Sequence, residues 1–210
     1  MSPQNRQSAI GNRQSLLILA SASPRRAEIL RSLGIPFTVL PTDVAEDLIP
    51  GETADAASAR LAEEKAARAA DSEPDSWILA ADTLVVLSGE ILGKPRDDAE
   101  AAGMLRRLRG REHGVVTAVH LRRRAEGFSR IERSRVRFAA MSEEEIGWYV
   151  GTGEPRDKAG AYGVQGLGAR FIEEVHGSFT NVMGLPARSV YTLLRDAPDP
   201  ALWTLALSSS

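Results

Sequence analysis

Two adjacent arginines, Arg25 and Arg26, open a helix directly after the small-residue turn Ala20-Ser21-Ala22-Ser23-Pro24. Cations in a first helical turn oppose the helix dipole and call for an anion, most simply a polyphosphate. The local pattern supports such a site. Leu16 to Leu19 reads as a short buried strand, and the helix runs on to about Leu33. Ser23 is placed to act as N-cap, and Pro24 suits the first helical position, where a missing N–H costs nothing. The alternative on local grounds is a capped helix with two solvated arginines.

Further candidates are scattered along the chain. The strand-like stretch Trp77 to Leu87 carries one charge, Asp82, within Ala80-Ala81-Asp82-Thr83. A carboxylate in an apolar strand must be paired, hydrogen-bonded or bound to a cation. Lys94 stands on the stiff turn Gly93-Lys94-Pro95, and Lys65 lies beside Glu63 and Glu64 on an alanine-rich helix, where the default is a solvated face. Glu46 is one of several acids between Asp43 and Glu52. With the two arginines this set combines cations for phosphates with carboxylates for a metal ion. The segment from Gly151 to Gly168 holds six of the chain's 18 glycines, a density that marks close backbone approach. Gln165 lies among them with a donor and an acceptor suited to the edge of a nucleobase.

The elements that must position these groups follow from periodicity. The expected order begins with the first strand and helix, a strand over Pro36 to Leu40, and a helix over Ala54 to Ala70. The long central strand Trp77 to Leu87, covered on both faces, comes next, then a helix over Asp97 to Arg109. Strands over Gly114 to Arg123 and Ile131 to Phe138 form a hairpin through a glycine-containing turn. Ser142 and Glu145 match a capping box for the helix Glu143 to Val150. A strand over Ala169 to Val175 and a helix over Leu185 to Leu194 complete an α/β chain with a mixed twisted sheet flanked by helices. Residues 1–15 read as a disordered leader, 16–196 as a single domain and 197–210 as a C-terminal tail.

Composition narrows the function. At 210 residues, with 43% hydrophobic residues, the chain can bury a sizeable core. A net charge of −2 gives no global attraction to nucleic acid or to an anionic membrane. The absence of cysteine excludes disulfides, cysteine-ligated zinc and a thiol nucleophile. Three histidines, His113, His120 and His176, argue against a multi-histidine site, so a divalent ion would be held by carboxylates, as magnesium or manganese is. No apolar run approaches the ~20 residues of a membrane span, and the polar first fifteen residues are unlike a secretory signal. The expected location is the cytoplasm.

Several of these motifs occur together, in order, in one family. Ser21-Ala22-Ser23-Pro24-Arg25-Arg26, Arg60-Leu61-Ala62-Glu63-Glu64-Lys65-Ala66, Ala81-Asp82-Thr83 and Gly93-Lys94-Pro95 resemble Maf proteins, which are nucleoside triphosphate pyrophosphatases. The Gly153–Gly168 loop and Gly177-Ser178-Phe179-Thr180-Asn181-Val182-Met183-Gly184-Leu185-Pro186 extend the resemblance over residues 16 to 196. It implies a fold similar to ITP pyrophosphatases, a groove between two lobes and a homodimer. It implies hydrolysis of a nucleoside triphosphate to the monophosphate and pyrophosphate with a divalent cation (magnesium, manganese or cobalt).

The loop Asp157 to Gly166 resembles the dTTP/UTP branch, in which positions matching Arg25, Thr83 and Gln165 are linked to substrate choice. The position matching Asp82 is the proton acceptor there, and those matching Glu46, Lys65 and Lys94 line the phosphate and metal site. Ser21 and Arg26 belong to the substrate-binding set, and Asp82 with Glu46 to the metal set. The match is loose around Val44-Ala45-Glu46-Asp47, where Asp47 or Asp43 is an alternative to Glu46. Two other readings stand beside the pyrimidine pyrophosphatase: a nucleotide-sensing regulator of division without turnover, and a 7-methyl-GTP pyrophosphatase.

Overall fold

The computed structural model describes residues 17–207; the expected leader over 1–15 and Ser208–Ser210 lie outside the described residues. The first half of the chain contributes β1 (Leu17–Leu19), α1 (Pro24–Ser32), β2 (Thr38–Val39), α2 (Ala54–Ala70), β3 (Trp77–Leu87), β4 (Glu90–Leu92) and α3 (Asp98–Leu108). The second half contributes β5 (Glu112–Arg123), β6 (Glu126–Phe138), α4 (Glu143–Gly151), β7 (Ile172–His176), α5 (Phe179–Met183), α6 (Ala187–Asp196) and α7 (Pro200–Leu207). Between α4 and β7 the chain forms three 3₁₀ turns, Glu154–Asp157, Ala159–Ala161 and Gly166–Phe171.

The strands form one mixed sheet in the order β2-β1-β3-β5-β6-β7, with β4 paired to β3. β1 runs parallel to β2 and β3, and β3 pairs antiparallel with β5 along most of its length, from Ile78 opposite Arg122 to Val86 opposite Gly114. Side chains alternate across a strand, so β3 serves both faces. Trp77, Leu79 and Ala81 pack with Leu30 of α1, Leu193 of α6 and Leu202 of α7. Ile78 and Ala80 face Ala66 and Ala69 of α2, whose small side chains let the helix lie close to the sheet. Further along, Val85 and Leu87 join a second core with Leu105 and Leu108 of α3, Tyr149 of α4, Phe138 and Tyr162. One strand thus connects two lobes, and Asp82 and Thr83 fall at their junction.

The fold departs from the sequence expectations in six places. Ser23 occupies the N-cap position of α1, but its side chain makes no capping hydrogen bond; its N–H instead donates to Ser21 Oγ at 3.2 Å. The β5–β6 turn is Arg124-Ala125 without glycine, because Arg124 itself adopts a φ of 54°, and β6 therefore starts at Glu126. β2 shrinks to two exposed residues at the sheet edge, and β7 starts at Ile172 because a 3₁₀ turn takes the preceding residues. α6 begins at Ala187, because Pro186, at its N-cap, is itself extended with a ψ of 104°.

The sixth departure is the C-terminal tail expected over 197–210, which contains helix α7. Asp199 starts that helix by accepting the Ala201 N–H at 2.9 Å. It also accepts from the Trp77 indole at 3.0 Å and from Arg123 at 2.7 Å, while Leu202 is fully buried. The Asp-Pro pair that looks like a chain break is a helix start.

Two stability predictions follow from these cores. Asp199→Ala leaves the buried Trp77 N–H unpartnered and should cost about 1–3 kcal/mol in urea unfolding. In the second core the His113 ring meets the Tyr162 hydroxyl at 2.8 Å through Nε2, and burial pulls its pKa from 6.5 down to about 4. The unfolded chain takes up a proton near 6.5 and the folded one does not, so this contribution is complete above 6.5 and fades as pH falls towards 4. It amounts to about 3 kcal/mol. His113→Gln should flatten the loss of stability between pH 7 and pH 4, and an unchanged slope would contradict this origin.

Candidate active site

A cavity of about 770 Å³ opens where the two lobes meet, lined by the Ala20–Arg26 turn, Glu46, Lys65, Asp82, Thr83, Lys94 and the Asp157–Val164 loop. Strand alternation turns Asp82 towards α2 and Thr83 towards α1 and α5. On the α2 side, Lys65 is buried rather than solvated, and its Nζ donates to Asp82 Oδ1 and to Glu46 Oε1, both at 2.6 Å. Lys94 reaches the other Glu46 oxygen, Oε2, at 2.5 Å. Glu46, rather than Asp43 or Asp47, is therefore the acid joined to both lysines. Arg60 secures this acidic loop by donating to the Asp47 carbonyl at 3.0 Å and to Glu52 Oε2 at 2.8 Å.

The two carboxylates experience opposite environments. For Asp82 burial dominates and raises its pKa, although Lys65 and Arg26 work the other way. For Glu46 burial also pushes upward, but the hydrogen bonds from Lys65 and Lys94 outweigh it and hold the carboxyl down to about 2. Asp82 Oδ2 is buried and has no hydrogen-bond partner, an arrangement that suits a water proton or a cation. Among the described residues no group of three or more His, Cys, Asp or Glu side chains forms a metal cage. Two carboxylates beside a surface lined by Arg and Lys side chains still match the way magnesium is held, by one or two acids and ligand oxygens.

On the other side, Arg26 is anchored by three contacts: Nε to the Gly184 carbonyl at 2.8 Å, Nη1 to Ser21 Oγ at 3.2 Å and Nη2 to Thr83 Oγ1 at 3.3 Å. The Arg25 side chain lines the same cavity without a hydrogen bond or salt bridge to a described residue, though its charge acts on nearby Asp157. Of the sequence candidates, Ser21, Arg25, Arg26, Glu46, Lys65, Asp82, Thr83 and Lys94 converge on the cavity. Gln165 differs: its side chain is exposed and lies outside the cavity lining, which ends at neighbouring Val164.

Part of the glycine-rich loop packs around a protein group. Glu154 accepts the Leu167 N–H at 2.9 Å, the Gly168 N–H at 3.0 Å and the Tyr149 hydroxyl at 2.8 Å. A Cβ on Gly166, whose φ is +79°, would meet Glu154 Oε2 at 2.7 Å, and one on Gly168 would meet the Tyr149 hydroxyl at 2.5 Å. The backbone thus wraps an internal carboxylate and carries Val164 to the cavity wall. Lys158 is a lining cation that charge patterning did not single out; its Nζ bonds the Glu154 carbonyl at 2.5 Å and Asp157 Oδ1 at 2.6 Å.

The family profile described as Maf, Maf-like protein, matches residues 16–197. The chain is 50% identical over 190 residues to the dTTP/UTP pyrophosphatase of Myxococcus xanthus (strain DK1622), with 90% of this chain and 96% of that protein aligned. It is 47% identical over 180 residues to the dTTP/UTP pyrophosphatase of Aquifex aeolicus (strain VF5), covering 86% and 94% of the two chains. Among solved structures, the Staphylococcus aureus Ham1 protein aligns with 74% of this chain and 79% of its own at 18% identity and a TM-score of 0.47. With the family profile matched over nearly all the described residues and half the sequence shared with curated relatives, the chain belongs to the Maf family.

Proposed function

We propose that this chain hydrolyses dTTP and UTP to the monophosphate and pyrophosphate, acting in the cytoplasm. Modified pyrimidine triphosphates fall within the same chemistry. The observation that carries the reading is the buried Lys65–Asp82 pair, which occupies one oxygen of Asp82 and leaves the other unpartnered beside a cationic cavity. A pure triphosphate sensor would need the cations but not a buried acid. The names of the aligned relatives support the pyrimidine substrate.

Water attacks the α-phosphorus, its proton passes to Asp82 Oδ2, and the bond from that phosphorus to the bridging oxygen of the β-phosphate breaks. Pyrophosphate then leaves. Burial of Asp82 raises its basicity, which favours proton transfer. Lys94 and Arg25 neutralise the phosphate oxygens, and Lys65 holds Asp82 in place while adding charge of the same sign. A divalent cation held by Asp82 and Glu46 would supply further charge neutralisation and acidify the attacking water. Direct attack by water requires no protein nucleophile. Gln165, exposed at the rim, is assigned to the base and would reach it by movement of its own side chain.

Asp82→Asn should keep the fold and lower kcat about 10²–10⁴-fold with saturating magnesium or manganese, read as pyrophosphate release. Retention of full activity would remove Asp82 from proton transfer. Gln165→Ala should shift the kcat/KM ratio of dTTP to purine triphosphates, and an unmoved ratio would remove it from base recognition. A panel including 7-methyl-GTP, run with magnesium, manganese and cobalt, ranks the alternatives, and tight binding without release would favour the sensor.

A further inference from the structure

Thr117, on β5, is fully buried and belongs to no motif described above. It lies directly opposite Thr83 in the β3–β5 register, and the two hydroxyl oxygens are 3.0 Å apart. Which hydroxyl donates can be worked out from the neighbours. Thr117 Oγ1 is 3.1 Å from the backbone carbonyl of Asn181, an atom that can only accept. Asn181 is itself held firmly, with its side-chain amide donating to the Val115 carbonyl at 3.2 Å and to Ser134 Oγ at 3.0 Å.

A threonine hydroxyl has a single proton. That of Thr117 goes to Asn181, so the contact between the two threonines requires Thr83 to donate. The other outlet for the Thr83 proton, the Gly184 carbonyl at 3.5 Å, is also a protein acceptor and a longer contact. Arg26 Nη2 donates to Thr83 Oγ1 at 3.3 Å, which agrees with this polarity. In either case Thr83 has no proton left for a ligand and faces the cavity as an acceptor.

Phosphate oxygens are acceptors too, so Thr83 is not suited to the phosphate cradle, and the ligand groups it can meet are N–H or O–H donors such as those of the base or sugar. We propose that Thr117 is a positioning residue that fixes Thr83 as an acceptor for the N3–H of uracil or thymine and so disfavours cytosine, whose N3 is an acceptor. The inference rests on the pyrimidine-triphosphate reading above.

The test compares pyrophosphate release from UTP and CTP, which carry the same sugar, by the wild type, Thr117→Val and Thr117→Ser. The wild type should favour UTP at least about tenfold in kcat/KM. Thr117→Val leaves the Thr83 proton only the longer contact to the Gly184 carbonyl at 3.5 Å, from which a ligand acceptor can draw it, and the ratio should fall towards unity chiefly through a gain with CTP. Thr117→Ser retains the relay and should stay within about twofold of wild type. Thermal unfolding checks that each variant folds, and Thr117→Ala carries the same expectation as valine should the valine variant not fold.

An unmoved ratio in a folded variant lacking the hydroxyl overturns the proposal, as does a loss of activity equal for both substrates, the mark of a merely structural role. Equal turnover of UTP and CTP by the wild type overturns it without any variant. Absence of release from both UTP and dTTP would overturn the catalytic reading itself, and is distinct from release with an unmoved ratio.

Discussion

The arrangement depends on one buried ammonium group. Lys65 Nζ links Asp82 on the central strand to Glu46 on an otherwise irregular loop, at 2.6 Å in each case. Without that cation a carboxylate in the middle of β3 would be a large desolvation cost, and without the carboxylates a lysine on the sheet-facing side of α2 would be equally unfavourable. Each charge makes the other tolerable, so the pair fixes how α2 lies on the sheet. It also recruits Glu46, which Lys94 then holds from the turn after β4. Two lysines from separate elements converge on one loop acid, and the cavity wall is closed by electrostatics where regular structure is absent.

Strand alternation then divides the chemistry. Asp82 and Thr83 are neighbours in sequence, yet they project from opposite faces of β3 because side chains in a strand repeat every second residue. The acid meets the lysine of α2, and the hydroxyl meets Arg26, Thr117 and Gly184. A short segment can therefore present a proton acceptor to one part of a ligand and a hydrogen-bond acceptor to another. The long pairing of β3 with β5 keeps both in register, and it lets a buried residue on β5 control a group in the cavity.

Much of this was legible because apolar runs and period-two alternation identify strands directly. α2, β3 and the Ser142–Glu145 capping box fall where their patterns place them. Lys65 was harder to place, because an alanine-rich helix has no sharply apolar side and its buried face is decided by the partner. The Arg124 turn escaped notice since positive φ is usually signalled by glycine. Several glycines of the 153–168 loop do mark close approach, but to protein groups: Gly163 and Gly166 to Glu154, Gly160 to Val85 and Gly168 to Tyr149. Thr117 carries no sequence signal at all. Its role depends on a carbonyl contributed by α5, more than sixty positions later, and such long-range pairings have no local pattern.

The adjacent arginines show how a motif divides into separate tasks. Burial works against the charge on Arg26, while Asp82 and Glu46 favour it, and the side chain donates to Gly184, Ser21 and Thr83. These contacts join the start of α1 to the end of α5, so Arg26 shapes the wall and contributes its field from a fixed position. Arg25 has no such hydrogen-bonded anchors among the described residues; its charge acts through space, as on Asp157. Its charge at the start of a helix, unfavourable towards the dipole, is the one that gains most from a bound phosphate. The sequence pairs them, but the fold makes Arg26 part of the scaffold and leaves the Arg25 side chain without a hydrogen bond to any described residue.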